Sequence, residues 1–137
     1  MKKIISLFEN QPSAIFSLSM TRTRLMAYMI TNACSLDELK LVSGELSPEE
    51  KQQVDEYVRN LQNMPLWIDD TPALSIDEFR TKAQQLVHEH QVKTIYIDDM
   101  RFMDKQGASA FGNEEIAAAI KKELDTIAQE LSIQIIF

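Results

Sequence analysis

Two adjacent carboxylates, Asp98 and Asp99, follow a run of residues at 94–97 that favours an extended chain. A buried parallel strand that ends in a carboxylate is suited to holding Mg²⁺, which binds one or two carboxylates and completes its shell with substrate phosphates and water. Asp98 is therefore a candidate metal ligand. The alternative is that both acids are solvated side chains at a strand end, and two carboxylates alone do not decide between these interpretations.

A second pair of acids, Asp69 and Asp70, follows another short apolar run at residues 66–68. Ligands of α/β proteins bind at the carboxyl ends of parallel strands, so this pair would widen an acidic cluster around Asp98. The alternative is that Asp70 and Thr71 shape a turn before the proline that follows them.

The histidines and the single cysteine have ordinary interpretations. His88 and His90 lie two positions apart, and residues at that spacing do not share a face of a helix, so we interpret them as partly solvated. Cys34 has no neighbouring His or Lys to activate it, and a buried, unreactive thiol is expected. A chain with one cysteine forms no internal disulfide, which indicates a reducing compartment. The first apolar run is too short for a signal peptide, so we predict a cytoplasmic protein.

The charge balance limits the possible partners. The 137 residues include 21 acidic and 14 basic side chains, a net charge of −7, which works against broad binding of a phosphate backbone. Arg101 and Lys105, with Lys93 and the rings of Phe102 and Phe111 nearby, combine charge and aromatic surface as single-strand DNA sites do. A solvated loop is the alternative for these residues.

Hydrophobic periodicity predicts one domain, residues 1–137, in which short strands alternate with amphipathic helices. Four nearly continuous apolar strands separated by helices imply a parallel sheet covered on both faces. A short amphipathic helix is expected around Ile4, Leu7 and Phe8, and a loop at residues 99–113. The strands are predicted at residues 14–18, 66–68, 94–98 and 133–137.

Local signals mark where the helices begin and end. Ser35 with Glu38, and Ser75 with Glu78, have the spacing of capping boxes. Ser47 precedes a proline at the first helical position, which opens a long helix. The short helix that Ser35 would open is expected to end at Gly44.

The segment MPLWIDDTPALSIDEFRTKAQQLVHEHQVKTIYIDDMRFM resembles the ATPase domain of the DnaB-type replicative DNA helicases, in which strands ending IDDTP and in the Walker B aspartate occur at this spacing. AIFSLSM resembles the family strand that reads like FSLEMS, and AQELSIQII fits the helix and strand that come last. The resemblance covers nearly all of residues 5–137. It implies ATP and Mg²⁺ as the family's cofactors.

Position by position, the resemblance assigns Asp98 to the Walker B aspartate, which holds the magnesium of the nucleotide. Ser19 stands where the family has the glutamate that activates the attacking water. Asp99 replaces a tyrosine and Arg101 a glutamine in the stretch that leads to the DNA-facing loop. The assignment leaves this chain with no catalytic residue of its own.

The departures from the family predict that this chain alone does not hydrolyse ATP, and no cofactor is predicted for it alone. A P-loop needs a glycine-rich turn followed by Lys-Ser or Lys-Thr, and none of the three glycines is followed by such a pair. The family's P-loop would lie just before Met1, and its arginine finger after Phe137. A serine hydroxyl at position 19 does not replace a carboxylate base, whose help is worth about 10²–10⁴-fold in rate.

The resemblance implies a three-layer α/β fold of RecA-like topology that lacks the P-loop strand, with strand order 65–69, 14–19, 94–98, 133–137. Removal of the P-loop strand would leave residues 133–137 as an open edge, which we expect to pair with a second copy or with a helicase subunit. The leading hypothesis is an inactive helicase domain that acts as an interaction module. The alternatives are a fragment of an active ATP-dependent helicase whose P-loop is supplied elsewhere, and a weak single-strand DNA binder.

Overall fold

The computed structural model describes residues 11–137, which form a parallel sheet flanked by helices. The predicted helix around Ile4 lies outside the described residues. The strands of the main sheet are β1 (Ser13–Ser17), β2 (Leu66–Asp69), β3 (Thr94–Asp98) and β6 (Gln134–Ile136), and a small hairpin adds β4 (Asp104–Lys105) and β5 (Ala108–Ser109). The α-helices are α1 (Arg22–Cys34), α2 (Glu38–Ser43), α3 (Pro48–Asn63), α4 (Ile76–His90) and α5 (Glu114–Leu131).

The main sheet has the order β2-β1-β3-β6, and each of its three neighbouring pairs is parallel. This is the predicted order. Ser13 lies opposite Leu66 on one side and Thr94 on the other, so β1 is central together with β3. Strands β2 and β6 are the two edges, and residues 133–137 are therefore at an edge as expected.

Two hydrophobic clusters cover the two faces of the sheet. One lies between the sheet and helices α4 and α5, and in it the rings of Phe16 and Phe79 meet edge to face with centroids 4.8 Å apart. The other contains Ile15, Leu25 and Met29 and lies between the sheet and helices α1 and α3. Alternate residues of β1 enter opposite clusters, which is why all five of its residues are buried.

The helix ends follow the predicted signals with one exception. Ser47 and Glu50 form a complete capping box at the start of α3, and Ser75 accepts the hydrogen bond from Glu78 N at the start of α4. The predicted cap at Ser35 is wrong. Ser35 instead ends α1 in the left-handed region, with φ 53°, and Asp37 caps α2 by accepting from Leu39 N at 3.0 Å.

The predicted loop at residues 99–113 contains regular structure. A 3₁₀ turn, Met100–Phe102, is followed by the hairpin of β4 and β5, whose strands are two residues each. Strands of that length are too short to produce a period-two pattern in the sequence. No helix in residues 11–137 is both long and apolar enough to span a bilayer.

Candidate functional site at the carboxyl edge of the sheet

The parallel register brings the ends of three strands together. Ser17 lies opposite Asp98 and Phe16 opposite Asp69, so β1, β2 and β3 end at the same edge of the sheet. Leu18 N donates to Asp98 O at 2.7 Å and extends the pairing by one residue. Ser19 therefore follows directly after the ladder that holds Asp98, as the assignment of both residues to one site requires.

Asp98 is the least satisfied acid of this edge. Its side chain is half-buried, and its Oδ2 is buried without a hydrogen-bond partner among the described residues. Burial raises the pKa of this carboxyl group, and the negative charge of Asp99 raises it further. The peptide bond between the two aspartates is cis.

Asp99 is engaged by Arg101. The Nη2 of Arg101 lies 2.6 Å from Asp99 Oδ2, and Nε contacts both carboxylate oxygens at 3.0 and 3.2 Å. Asp99 also accepts from Arg101 N, which caps the 3₁₀ turn. The hydrogen bonds from Arg101 hold the pKa of Asp99 below its ordinary value, and the same pair raises the pKa of Arg101.

Asp69 is engaged by Lys82 of helix α4. Lys82 Nζ lies 2.7 Å from Asp69 Oδ2 and also donates to Thr71 Oγ1 at 3.1 Å, while Thr71 N donates to Asp69 Oδ1. Burial acts to raise the pKa of Asp69, but the hydrogen bonds from Lys82 and Thr71 outweigh it, so the net shift is downward. The turn after β2 is therefore built on Asp69 and not, as the sequence suggested, on Asp70.

Asp70 instead reaches helix α1. Its Oδ2 accepts from Arg22 N at 2.9 Å, at the positive end of the helix dipole. The guanidinium of Arg22 donates in return to the carbonyl of Ile68 in β2. Helix α1 is thus fastened at its first residue to the end of the neighbouring edge strand.

Ser19 is exposed and carries a hydroxyl where the family resemblance expects a carboxylate. The neighbouring Ser17 is buried, and its Oγ donates to Met20 O at 2.7 Å, which shapes the turn between β1 and α1. Neither serine has a histidine or carboxylate recorded as a side-chain partner. The turn therefore offers no activated nucleophile and no general base.

A magnesium ion fits this edge only in part. The unpartnered Oδ2 of Asp98 is a free carboxylate ligand beside a strand end, as a nucleotide-bound Mg²⁺ would need. Asp69 and Asp99 are neutralised by Lys82 and Arg101. In residues 11–137 no group of three or more potential metal ligands occurs, so Asp98 would hold Mg²⁺ only together with water and phosphate oxygens.

The cations considered for DNA are spread over several contacts. Arg101 is bound to Asp99 and lies 5.8 Å from the ring centroid of Phe111, which itself packs on Phe102. Lys105 pairs with Glu123 at 3.4 Å. Both cations are therefore partly neutralised within the chain. Arg101 and Phe111 are nevertheless exposed on one surface.

A cleft between β2 and α4 was not indicated by the sequence. It has a volume of about 350 Å³, and its wall includes Trp67 and His90, whose rings stack with centroids 4.5 Å apart. His90 is exposed, as expected, but it is an aromatic neighbour of Trp67 as well. The two rings are far apart in sequence, and no local pattern marks such a pair.

Cys34 lies beside a second cavity, of about 420 Å³, between α1 and α3. Burial raises the pKa of its thiol, in agreement with the expectation of an unreactive side chain. Tyr57 lines the same cavity, and burial, followed by the nearby Cys34, raises its pKa to about 12.

Comparison with known proteins places these features in a family. A family model described as the DnaB-like helicase C terminal domain matches residues 1–137. The replicative DNA helicase DnaB of Geobacillus stearothermophilus is 28% identical over 127 residues, which cover 93% of this chain and 28% of that protein. The replicative DNA helicase DnaC of Bacillus subtilis is 30% identical over 123 residues, which cover 90% of this chain and 27% of that protein.

Two solved structures share the fold. A helicase ATPase domain superposes with a TM-score of 0.77 at 18% identity, covering 93% of this chain and 46% of that one. A DnaB-like replicative helicase, described with its interactions with primase, gives 0.78 at 18% identity, covering 93% of this chain and 31% of that one. The predicted RecA-like topology is thereby confirmed. The chain spans less than half of each of these relatives.

Proposed function

The chain belongs to the DnaB-like helicase C-terminal domain family, and from that premise we propose that it acts in DNA replication as an interaction domain that does not hydrolyse ATP by itself. The proposal assigns it to the cytoplasm, in keeping with its single cysteine. Its partner is a helicase subunit or a second copy of the chain. Two features of the described residues support the proposal, one at each of two edges of the sheet.

The first feature is the state of the acids at the carboxyl edge, and it carries the proposal. Asp98 would hold the Mg²⁺ of a nucleotide, which neutralises charge on the transferred phosphoryl group. Hydrolysis also needs a base that orients and deprotonates water, and Ser19 has no carboxylate to do so. Asp69 and Asp99 do not substitute for it, because Lys82 and Arg101 hold their oxygens at 2.7 and 2.6 Å.

The second feature is the outer edge of β6. Gln134 N donates to Lys93 O, so the backbone of Gln134 faces β3 and that of Ile135 faces away from the sheet. Both the N–H and the C=O of Ile135 are therefore directed outward, which suits pairing with another strand. Phe137 is 45% exposed beside them. An open edge with apolar side chains is a surface that proteins usually cover.

Two measurements test the proposal. Isothermal titration of the 137-residue chain with ATP and Mg²⁺ should give no micromolar binding, and an ATPase assay no turnover. Sedimentation velocity over a range of concentrations, with and without a DnaB-type helicase, should reveal association. Micromolar ATP binding with turnover, or a chain that stays monomeric and leaves the helicase unchanged, would contradict the corresponding half of the proposal.

A proline substitution locates the association. Ile135→Pro removes an outward N–H without breaking the ladder to β3, and proline is accepted where the N–H of an edge strand faces solvent. We expect it to reduce association strongly. Ile135→Val keeps the N–H and most of the side chain and is the matched control. Association that survives Ile135→Pro in a folded chain would exclude this edge.

The second candidate is that these residues form part of an active ATP-dependent helicase whose phosphate cradle is supplied by another segment. The unpartnered oxygen of Asp98 is the observation that favours it, because this ligand would then have a use. Binding of ATP with Mg²⁺ that Asp98→Asn abolishes would support this candidate over the first.

A further inference from the structure

The other edge of the sheet, β2, has an unusual set of backbone groups left for pairing. Ser13 N donates to Pro65 O, and in the register that follows, Trp67 turns its backbone towards β1. The groups of Leu66 and Ile68 therefore face outward. Leu66 N is already used by Met64 O at 2.8 Å, and Ile68 O accepts from Arg22.

What remains on this edge is the C=O of Leu66 and the N–H of Ile68. An antiparallel neighbour bonds to the N–H and C=O of one residue, and both Leu66 and Ile68 have lost one of the two. A parallel neighbour instead places a single residue opposite Trp67, which donates to Leu66 O and accepts from Ile68 N. The free groups thus match one residue of a parallel strand.

The side chain of such a residue would enter the cleft between β2 and α4. Residues paired across strands point to the same face of the sheet, and Trp67 packs on the α4 side, whereas Leu66 and Ile68 pack on the α1 side. The cleft of about 350 Å³ is large enough for a long side chain. Its apolar wall is formed by Trp67 and Leu86.

The charges in the cleft select the side chain. Asp69 is neutralised by Lys82, whereas Glu89 has only weak recorded contacts, 3.4 Å from Gln85 Nε2 and 4.0 Å from His90 Nε2. Glu89 is thus the carboxylate of this cleft without a lysine or arginine partner. An apolar wall that leads to a free carboxylate suits the aliphatic stem and cationic head of lysine or arginine.

We propose that β2 and the cleft beside it bind an extended basic segment of a partner protein. The segment adds in parallel to β2, one residue bonds to Leu66 O and Ile68 N, and the lysine or arginine side chain of that residue reaches Glu89. This surface is separate from the β6 edge and does not depend on the nucleotide site. Only one residue is held by backbone bonds, so an isolated peptide binds weakly.

The test uses the full ¹⁵N-labelled chain and a capped pentapeptide, threonine-valine-lysine-valine-threonine. Titration followed by ¹H–¹⁵N correlation spectra should shift the amide of Ile68 and the indole of Trp67. A peptide with an N-methylated central lysine lacks the N–H for Leu66 O and should shift them much less. A peptide with central glutamate should bind about threefold to fivefold more weakly than the lysine peptide, as expected for an exposed ion pair.

Variants identify the carboxylate. Glu89→Gln should abolish the preference for lysine over glutamate, and Glu115→Gln, an exposed acid on α5, should leave it unchanged. The spectra also show that each variant is folded. Absence of shifts at Ile68 and Trp67 at millimolar peptide, equal binding of the N-methylated peptide, or strongest shifts at Ile135 would overturn the proposal. Shifts at Ile68 that appear on raising the protein concentration without peptide would also overturn it, since the occupant would then be a second copy.

Discussion

The guanidinium of Arg101 lies against both carboxylate oxygens of Asp99, with Nη2 2.6 Å from Oδ2 and Nε 3.2 Å from Oδ1. The pair is two residues apart in sequence and closes over the end of β3. It neutralises Asp99 and leaves Asp98 as the free ligand of this edge. The pKa shifts of the two neighbouring aspartates are therefore opposite in sign, and stability is expected to depend on pH differently at each of them.

Arg101→Gln should lower the melting temperature slightly at pH 7. The pKa of Asp99 is lower in the folded chain than in the unfolded one, so its pairing stabilises the fold above the ordinary aspartate range and is lost as the pH falls through the folded value. The difference between variant and parent should therefore shrink on acidification. Arg24→Gln, at an exposed arginine of α1, is the control. An unchanged difference at acid pH would show that Asp99 is not the partner that matters.

Asp98→Asn should show the opposite pH dependence. Burial and the charge of Asp99 raise the pKa of Asp98, so its ionised form costs stability, and that cost appears as the pH rises through the folded pKa. The variant should melt a few degrees higher than the parent at pH 7 and show no gain at about pH 3. Thermal denaturation by circular dichroism measures both. A lower melting temperature at pH 7 would mean that the carboxylate has a partner in solution.

Asp70→Ala should destabilise the chain by about 1 kcal/mol, because Arg22 N loses its acceptor and the positive end of α1 loses a nearby charge. Asp70→Asn keeps an acceptor and should cost less. Urea denaturation gives both free energies of unfolding. A smaller difference in high salt is expected, because the site is exposed.

Phe79→Ala should cost about 3–5 kcal/mol, since Phe79 is fully buried against Phe16 and its removal leaves a cavity. Phe111→Ala is the matched control. Phe111 is 56% exposed, and its loss should change the free energy of unfolding by less than about 1 kcal/mol. Similar costs for the two substitutions would show that the cluster under α4 is not the main core.

The sheet could be predicted closely, because buried parallel strands produce continuous apolar runs. The strand at 94–98 has its predicted bounds, and the order of all four strands follows from the family resemblance. Ser35 was misassigned because Asp37, two positions on, competes for the same helix start and its shorter reach to Leu39 N prevails. The sequence pattern was right that a short helix exists there, and Gly44 ends it as expected.

The contacts that define the site could not be predicted in this way. Arg22 meets Asp70, and Trp67 meets His90, across segments that no local pattern connects. Asp98 and Ser19 were assigned to one site only through the resemblance, and their roles stay predictions. What the register adds is that the ends of β1 and β3 are neighbours.

The central position of β1 has a consequence for biosynthesis. Ser13 is translated long before its partners Leu66 and Thr94, so β1 leaves the ribosome while neither neighbouring strand is available. Loop closure over such separations is slow, and the nascent segment stays exposed while the rest is made. Cells that produce this chain at high levels should therefore depend on chaperones that bind emerging apolar segments, and slower translation up to residue 98 should not relieve that demand.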